Sequence, residues 1–255
     1  MKVFDSVSDY INSRSGIEGP IGFVPTMGAL HSGHESLIVR SVEENQTTVA
    51  SIYVNPTQFD NENDLAVYPE TLAQDQEILE ALGVDVLVLP TYDQIYGDSF
   101  RYQVSENLFS KELCGAHRDG HFTGVLTVVM KLLNIVRPQK AYFGEKDYQQ
   151  YQLISDMAGA FFLDVEIVPC PIVRESDGLA LSSRNLNLDR CARAKAPLIH
   201  ELISNTPSDL EVSQALSKAG FEVDYVETRY GRRFVAAEIG QNPVVRLIDN
   251  VPVAM

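Results

Sequence analysis

Through the first two thirds of the chain, short and almost unbroken apolar runs alternate with longer amphipathic stretches. "PIGFVPT" (20–26) is bounded by proline and predicts a buried strand. "TTVASIYVNP" (47–56), rich in β-branched residues, predicts a second strand, and "VDVLVLP" (84–90) a third covered on both faces. Between them, "HESLIVRSVEEN" carries Leu37, Ile38 and Val42 at helical spacing. "ETLAQDQEILEALG" follows Pro69 and stops at Gly83, as a helix does. "HFTGVLTVVMKLLNIVRP" is apolar nearly all round from Phe122 to Val136 and predicts an interior helix closed by Pro138. "KAYFG" (140–144) predicts a strand, "KDYQQYQLISDMAGAFF" a helix and "DVEIVPCPIV" a further strand. This alternation implies an α/β fold, a Rossmann-like doubly wound parallel sheet with helices on both faces.

The pattern changes after the polar break "RESDG" (174–178). Helices are expected near 189–204 and 208–219, then strands in "FEVDYVETRY", "RRFVAAEI" and "VVRLID", with a hairpin turn at Gly231. The chain therefore divides into residues 1–174 and a smaller α+β C-terminal domain, 175–255, placed to act as a lid.

Composition is ordinary for a globular chain of 255 residues, with 45% apolar and 22% charged positions. The net charge of −15 changes the picture more. It argues against a nucleic-acid or anionic-membrane surface, and any anionic ligand must meet cations gathered locally. Cys114, Cys170 and Cys191 have no paired spacing, which points to a reducing, cytoplasmic setting. "MKVFDSVSDYI" lacks the long apolar core of a signal peptide, and no apolar run approaches membrane-spanning length.

The chemistry centres on "PTMGALHSGHESL" (25–37), at the carboxyl end of the first predicted strand, where doubly wound sheets bind ligands. His31 and His34 there could fill a core, ligate a metal or meet an anion. A metal would need a third ligand, for which His117 and His121 are weak candidates. Gly28 permits a tight turn, Gly33 close approach, and free N–H groups at the following helix start would favour phosphate. If residues 31 to 34 are helical, both imidazoles share one face. Polar clusters recur at the other strand ends. Gln58 in "VNPTQF" can donate and accept, Lys146 in "FGEKDYQQ" is a compact cation, and "LALSSRN" offers Ser182, Ser183 and the planar fork of Arg184. Asp75, after "YPE", is expected on a helix surface, with assistance to Mg²⁺ as its functional alternative.

These segments, with "HFTGVLTVVMKLLNIVRPQKAYFGEKDYQQ", "IVRESDGLALSSRN" and the terminal "RLIDN", resemble the pantoate–β-alanine ligase family over almost the whole chain. The H-x-G-H pattern alone would indicate only the wider nucleotidylyltransferase superfamily. The resemblance implies ATP-dependent activation of pantoate to pantoyl adenylate with loss of pyrophosphate, then attack by β-alanine to give pantothenate and AMP. It also implies Mg²⁺ and a homodimer. Carried over by position, ATP contacts fall on Met27, Gly28, Ala29, Leu30, His31, Ser32, Gly33 and His34. They continue at Gly144, Glu145, Lys146, Asp147, Val173, Leu181, Ser182, Ser183 and Arg184. Pantoate falls on Gln58 and Gln150, β-alanine on Gln58, and the catalytic groups are His34, His31, Lys146 and Arg184. In this reading the two histidines, Lys146, Arg184 and Mg²⁺ together cancel the charge of the phosphates. Asn187, Glu70 and Asp119 depart from residues common in the family.

Overall fold

The computed structural model describes residues 1–60, 65–241 and 243–253. Six parallel strands form the main sheet: β1 (Lys2–Phe4), β2 (Ile21–Thr26), β3 (Thr47–Ile52), β4 (Val86–Val88), β5 (Lys140–Gly144) and β6 (Glu166–Cys170). Their order is β1-β4-β3-β2-β5-β6. Side chains alternate between faces along each strand, so neighbours in sequence enter different cores. Phe23, Val49, Val88 and Phe143 belong to one core, and Val24, Ala50, Leu87 and Tyr142 to the other.

Five helices cover the sheet: α1 (Val7–Ser13), α2 (Ser32–Glu44), α3 (Leu72–Ala81), α4 (His121–Val136) and α5 (Tyr148–Ala160). Tyr10 of α1, Leu126 of α4 and Ile154 of α5 enter the first core; Leu37 and Ile38 of α2 and Leu79 of α3 enter the second. The apolar character of α4 reflects burial on nearly every side. Its end is set by Arg137 in the left-handed region (φ 53°), one residue before the expected proline stop. The sheet order reverses at β2, which pairs with β3 on one side and β5 on the other. Loops leaving the carboxyl ends of β2 and β5 therefore flank one crevice.

The remaining strands, β7 (Glu222–Arg229), β8 (Arg232–Ile239) and β9 (Val245–Pro252), form an antiparallel sheet. Helices α6 (Arg190–Lys195), α7 (Leu198–Asn205) and α8 (Asp209–Ala219) accompany it, and Ile203, Leu216 and Val235 lie in a core of their own. Tyr230 and Gly231 both have positive φ (52° and 72°), as a two-residue hairpin turn of this hand requires. The single helix expected over 189–204 is two, broken at Pro197, which has no N–H to continue it. β1 and α1 add an edge strand and a helix that the apolar pattern does not reveal, because three residues are too few to show a period.

The small sheet is joined to the large one by polar contacts from β9. Asp249 accepts two bonds from the Arg174 guanidinium (2.6 and 2.8 Å) and lies 3.5 Å from His200 Nδ1. Burial opposes ionisation of Asp249, but His200 and Arg174 hold its carboxyl below the usual range. Arg246 donates to Asp224 (2.7 Å) and to Cys114 Sγ (3.2 Å).

Candidate active site

The loop after β2 makes an unusual turn. Gly28 and Ala29 both have positive φ (80° and 50°), the second a strained conformation for a residue with a Cβ. Asp75 of α3 holds it there. Its carboxylate is buried and accepts from the N–H groups of Ala29 (2.9 Å) and Leu30 (2.8 Å) and from the Thr71 hydroxyl (3.1 Å). The Gly28 N–H donates to Thr26 Oγ1 (3.2 Å). One expectation changes here: Asp75 is interior rather than on a helix surface, and its carboxylate is taken up by the amides of Ala29 and Leu30.

Helix α2 begins at Ser32, so His31 is its cap and only His34 is helical. The rings nevertheless meet, with centroids 4.1 Å apart. The Gly33 N–H donates to His31 Nδ1 (3.1 Å), which leaves the proton of the neutral ring on Nε2. A Cβ at position 33 would stand 2.8 Å from His31 Cε1, so a larger residue there would press on that ring. Burial, then the charge of Lys146, lowers His31 to about 4. Burial, then His31, lowers His34 to about 3. Both imidazoles are therefore neutral at pH 7, and the expectation that they cancel phosphate charge as cations is corrected. His34 Nδ1 is buried without a protein partner.

The cations come from elsewhere. Beyond β5, a 3₁₀ turn over Glu145–Asp147 presents Lys146, 3.5 Å from Asp147 Oδ2. Burial opposes ionisation of Asp147, but Lys146 and Arg184 keep its carboxyl below the usual range. Arg184 follows Ser182, whose hydroxyl accepts from its N–H (3.3 Å). Ser183 is buried and donates to the Ala29 carbonyl (3.1 Å), tying this turn to the histidine loop.

Gln58 ends a 3₁₀ turn over Pro56–Gln58 and is oriented from several sides. Its Oε1 accepts from Asn55 Nδ2 (3.0 Å), and its Nε2 faces Met27 Sδ (3.2 Å). The His121 Nδ1–H donates to the Gln58 carbonyl (2.7 Å), and His121 Nε2 accepts from Arg118 (3.1 Å). Burial, then Arg118, lowers His121 to about 4, so it too is neutral. Gly124 lets α4 touch this turn; a Cβ there would lie within 2.2 Å of the Thr57 carbonyl. Asn55 and Arg118 went unread in the sequence. Asn55 stands beside the strand-end motif, but a lone arginine in "HRDG" carries no signal.

A cavity of 240 Å³ collects these groups. Met27, His31, Gly33, His34, Gln58, Gly144, Lys146, Asp147, Gln150, Val173, Leu181, Ser182, Ser183 and Arg184 all line it. Its apolar wall is Val125, Val128, Val129 and Leu132 of α4. A second cavity of 570 Å³ under the small sheet shares Arg118, His121, Lys146, Asp147, Gln150, Ser182 and Arg184 with it. Gly28, Ala29, Leu30, Ser32 and Glu145 line neither cavity. The first three shape the loop, and the Glu145 carboxylate lies 3.7 Å from Arg232. Gln149, next to Gln150, is buried and structural, bonding Cys114, Phe109 and Glu112.

The arrangement suits a small polar acid on the glutamines beside a polyphosphate on Lys146 and Arg184. Among the described residues no group of three or more His, Cys, Asp and Glu could hold a metal by itself, and no helix is long and apolar enough to cross a membrane.

Comparison with known proteins agrees with this chemistry. The family model described as Pantoate-beta-alanine ligase matches residues 2–252. The chain is 54% identical over 252 residues to a pantothenate synthetase of Bdellovibrio bacteriovorus, covering 99% of each. Among solved structures, it resembles a pantoate-beta-alanine ligase from Francisella tularensis complexed with "Beta-gamma ATP and Beta-alanine". That match has a TM-score of 0.93, 42% identity and coverage of 99% of this chain and 97% of that one. A pantothenate synthetase from Thermus thermophilus matches over 100% of both chains, with a TM-score of 0.88 and 38% identity.

Proposed function

The chain belongs to the pantoate–β-alanine ligase family, and from that premise we infer how its cavity carries out the family's reaction. The enzyme condenses pantoate with β-alanine to pantothenate, with ATP as co-substrate. One observation supports the assignment of roles: two neutral imidazoles, Lys146, Arg184, Gln58 and Gln150 line a single 240 Å³ cavity.

Pantoate sits on Gln58 and Gln150 with its methyl groups against the valines of α4. Its carboxylate attacks the α-phosphorus of ATP, pyrophosphate leaves, and pantoyl adenylate forms. As the bond to the leaving oxygen breaks, negative charge grows on the pyrophosphate. Lys146 and Arg184 stabilise it, and the His31 Nε2–H donates to a phosphate oxygen; such preorganised groups accelerate the step because they act on charge that develops. His34 lies against His31 and gives the nucleotide a second hydrogen-bonding ring. The β-alanine amine, held near Gln58 in its unprotonated form, then attacks the acyl carbon, AMP departs, and the surplus proton on nitrogen passes to water.

Mg²⁺ fits this site as an ion carried by the nucleotide, since among the described residues no group of three or more His, Cys, Asp and Glu could hold it. Asp147 would hold it, as a carboxylate suits a hard cation. Bound there it would neutralise phosphate charge. The remaining contacts assigned to ATP are Gly144, Val173, Leu181, Ser182 and Ser183, with Met27 to Leu30, Ser32 and Glu145 shaping their surroundings. The reading also includes a homodimer, a cytoplasmic setting and a division at 174/175, with residues 175–255 closing over the cleft.

The test is exchange of labelled pyrophosphate into ATP. With pantoate present and β-alanine absent, exchange is expected, and AMP release requires all three substrates. No exchange until β-alanine is added would overturn the adenylate route.

A further inference from the structure

Lys146 sits on a three-residue turn, and folding the large sheet alone does not fix where such a turn points. Its carbonyls are held by the other domain. Asn250 on β9 is buried, with 2% of its surface exposed, and its amide Nδ2 donates to the carbonyls of both Glu145 (2.9 Å) and Lys146 (3.0 Å). Both amide hydrogens are thereby used, and the amide cannot be reversed without turning an oxygen on two carbonyls.

The amide oxygen is held as well. Asn250 Oδ1 accepts from Arg232 Nε (2.7 Å), the Arg232 guanidinium lies 4.4 Å from the centre of the Tyr148 ring, and its Nη1 is 3.7 Å from the Glu145 carboxylate. The backbone N–H of Asn250 donates to Asp249 Oδ1 (2.7 Å), the carboxylate fixed by Arg174. A chain of contacts thus runs from the linker after β6, through β9, to the turn that carries the lysine. None of these groups lies among the imidazoles and glutamines of the smaller cavity.

We propose that Asn250 is a positioning residue for the reaction: the C-terminal domain sets the Lys146 ammonium against the phosphates by gripping the two carbonyls of its turn. This rests on the role given to Lys146 above. A shell residue acting this way affects the chemical step more than substrate affinity, because displacing a stabilising group by about 1 Å can cost about 10²-fold. It also acts only through the lysine, which separates positioning from a general contribution to folding.

The experiment is a double-mutant cycle on pantoate-dependent pyrophosphate exchange, using Asn250→Ala, Lys146→Ala and the double variant, with thermal melting of each. Asn250→Ala is expected to lower kcat about 10- to 100-fold with the pantoate KM changed less than about twofold. In the Lys146→Ala background the same substitution is expected to cost less than about twofold. Asn250→Asp keeps the shape and the Arg232 contact but presents an oxygen to both carbonyls, so it should lose at least as much as Asn250→Ala. Should Asn250→Ala not fold, Arg232→Met, which removes the donor steadying the amide together with the contacts to Tyr148 and Glu145, reads the same coupling through a smaller loss that Lys146→Ala again abolishes. Equal losses in the two backgrounds, or Asn250→Asp as active as the parent, would overturn the proposal while leaving the Lys146 reading intact. A Lys146→Ala variant with parental exchange would overturn that reading and this one with it.

Discussion

Among individual residues, the sharpest division is between groups that carry charge and groups that orient it. His31 is held neutral by burial and by the charge of Lys146, and His34 by burial and by His31, so the positive charge in the cavity belongs to Lys146 and Arg184, the groups proposed to meet phosphate. Lys146→Ala should therefore lower the pyrophosphate-exchange rate about 10²–10³-fold, the usual loss for one preorganised stabiliser. Exchange at the parental rate would remove the lysine from the mechanism. Gly33→Ala asks a different question. Its new methyl would meet His31 Cε1 at 2.8 Å and Nδ1 at 2.9 Å, so the ring must turn away while the helix stays. Its expected signature is a fall in turnover with little change in melting temperature. The histidines and Lys146 were legible in the sequence because they follow predicted strands, and Arg184 because it stands in a polar cluster at the domain junction. Their protonation was not, since it depends on burial and on a lysine over a hundred positions away.

Elements tell a similar story about what a sequence reveals. The parallel strands and α4 were readable from apolar runs, and β5 ends where the pattern places it. The role of Asp75 was hidden, because it bonds Ala29 and Leu30 across 46 and 45 positions and helical periodicity says nothing of such pairs. The break at Pro197 was visible in principle, but the apolar spacing on either side masked it. Asp75 links α3 to the loop before α2, and removing it strands the buried N–H of Ala29 and the part-buried N–H of Leu30. Asp75→Ala should destabilise the protein by about 3 kcal/mol, the cost of losing charged acceptors for buried donors. A shift in the urea midpoint with an unchanged m-value would show it. A loss below about 0.5 kcal/mol would mean that the loop finds other partners.

For the molecule as a whole, three histidines titrate abnormally in one direction. His31 and His121 are lowered to about 4 and His34 to about 3, whereas in the unfolded chain each titrates near 6.5. Between those values the unfolded state binds more protons than the folded one, so stability is lost as pH falls from 6.5 and the loss levels off below about 3 to 4. Glu44 and Asp98, both lowered to about 2, add their own loss only at more acid pH, below the ordinary carboxylate range. The urea midpoint should thus be lower at pH 5 than at pH 7.5, and replacing His121 with Gln should flatten that dependence. A midpoint that does not move between those values would contradict the neutral assignment of the rings.

The carboxylate of Asp75 also bears on how nucleotide arrives. The left-handed bend at Ala29 is fastened by the protein's own carboxylate, so the entropy lost in ordering that segment is absorbed when the chain folds. If nucleotide binds at this loop as proposed, its capture should follow a single-exponential course without a slower rearrangement of the histidine loop.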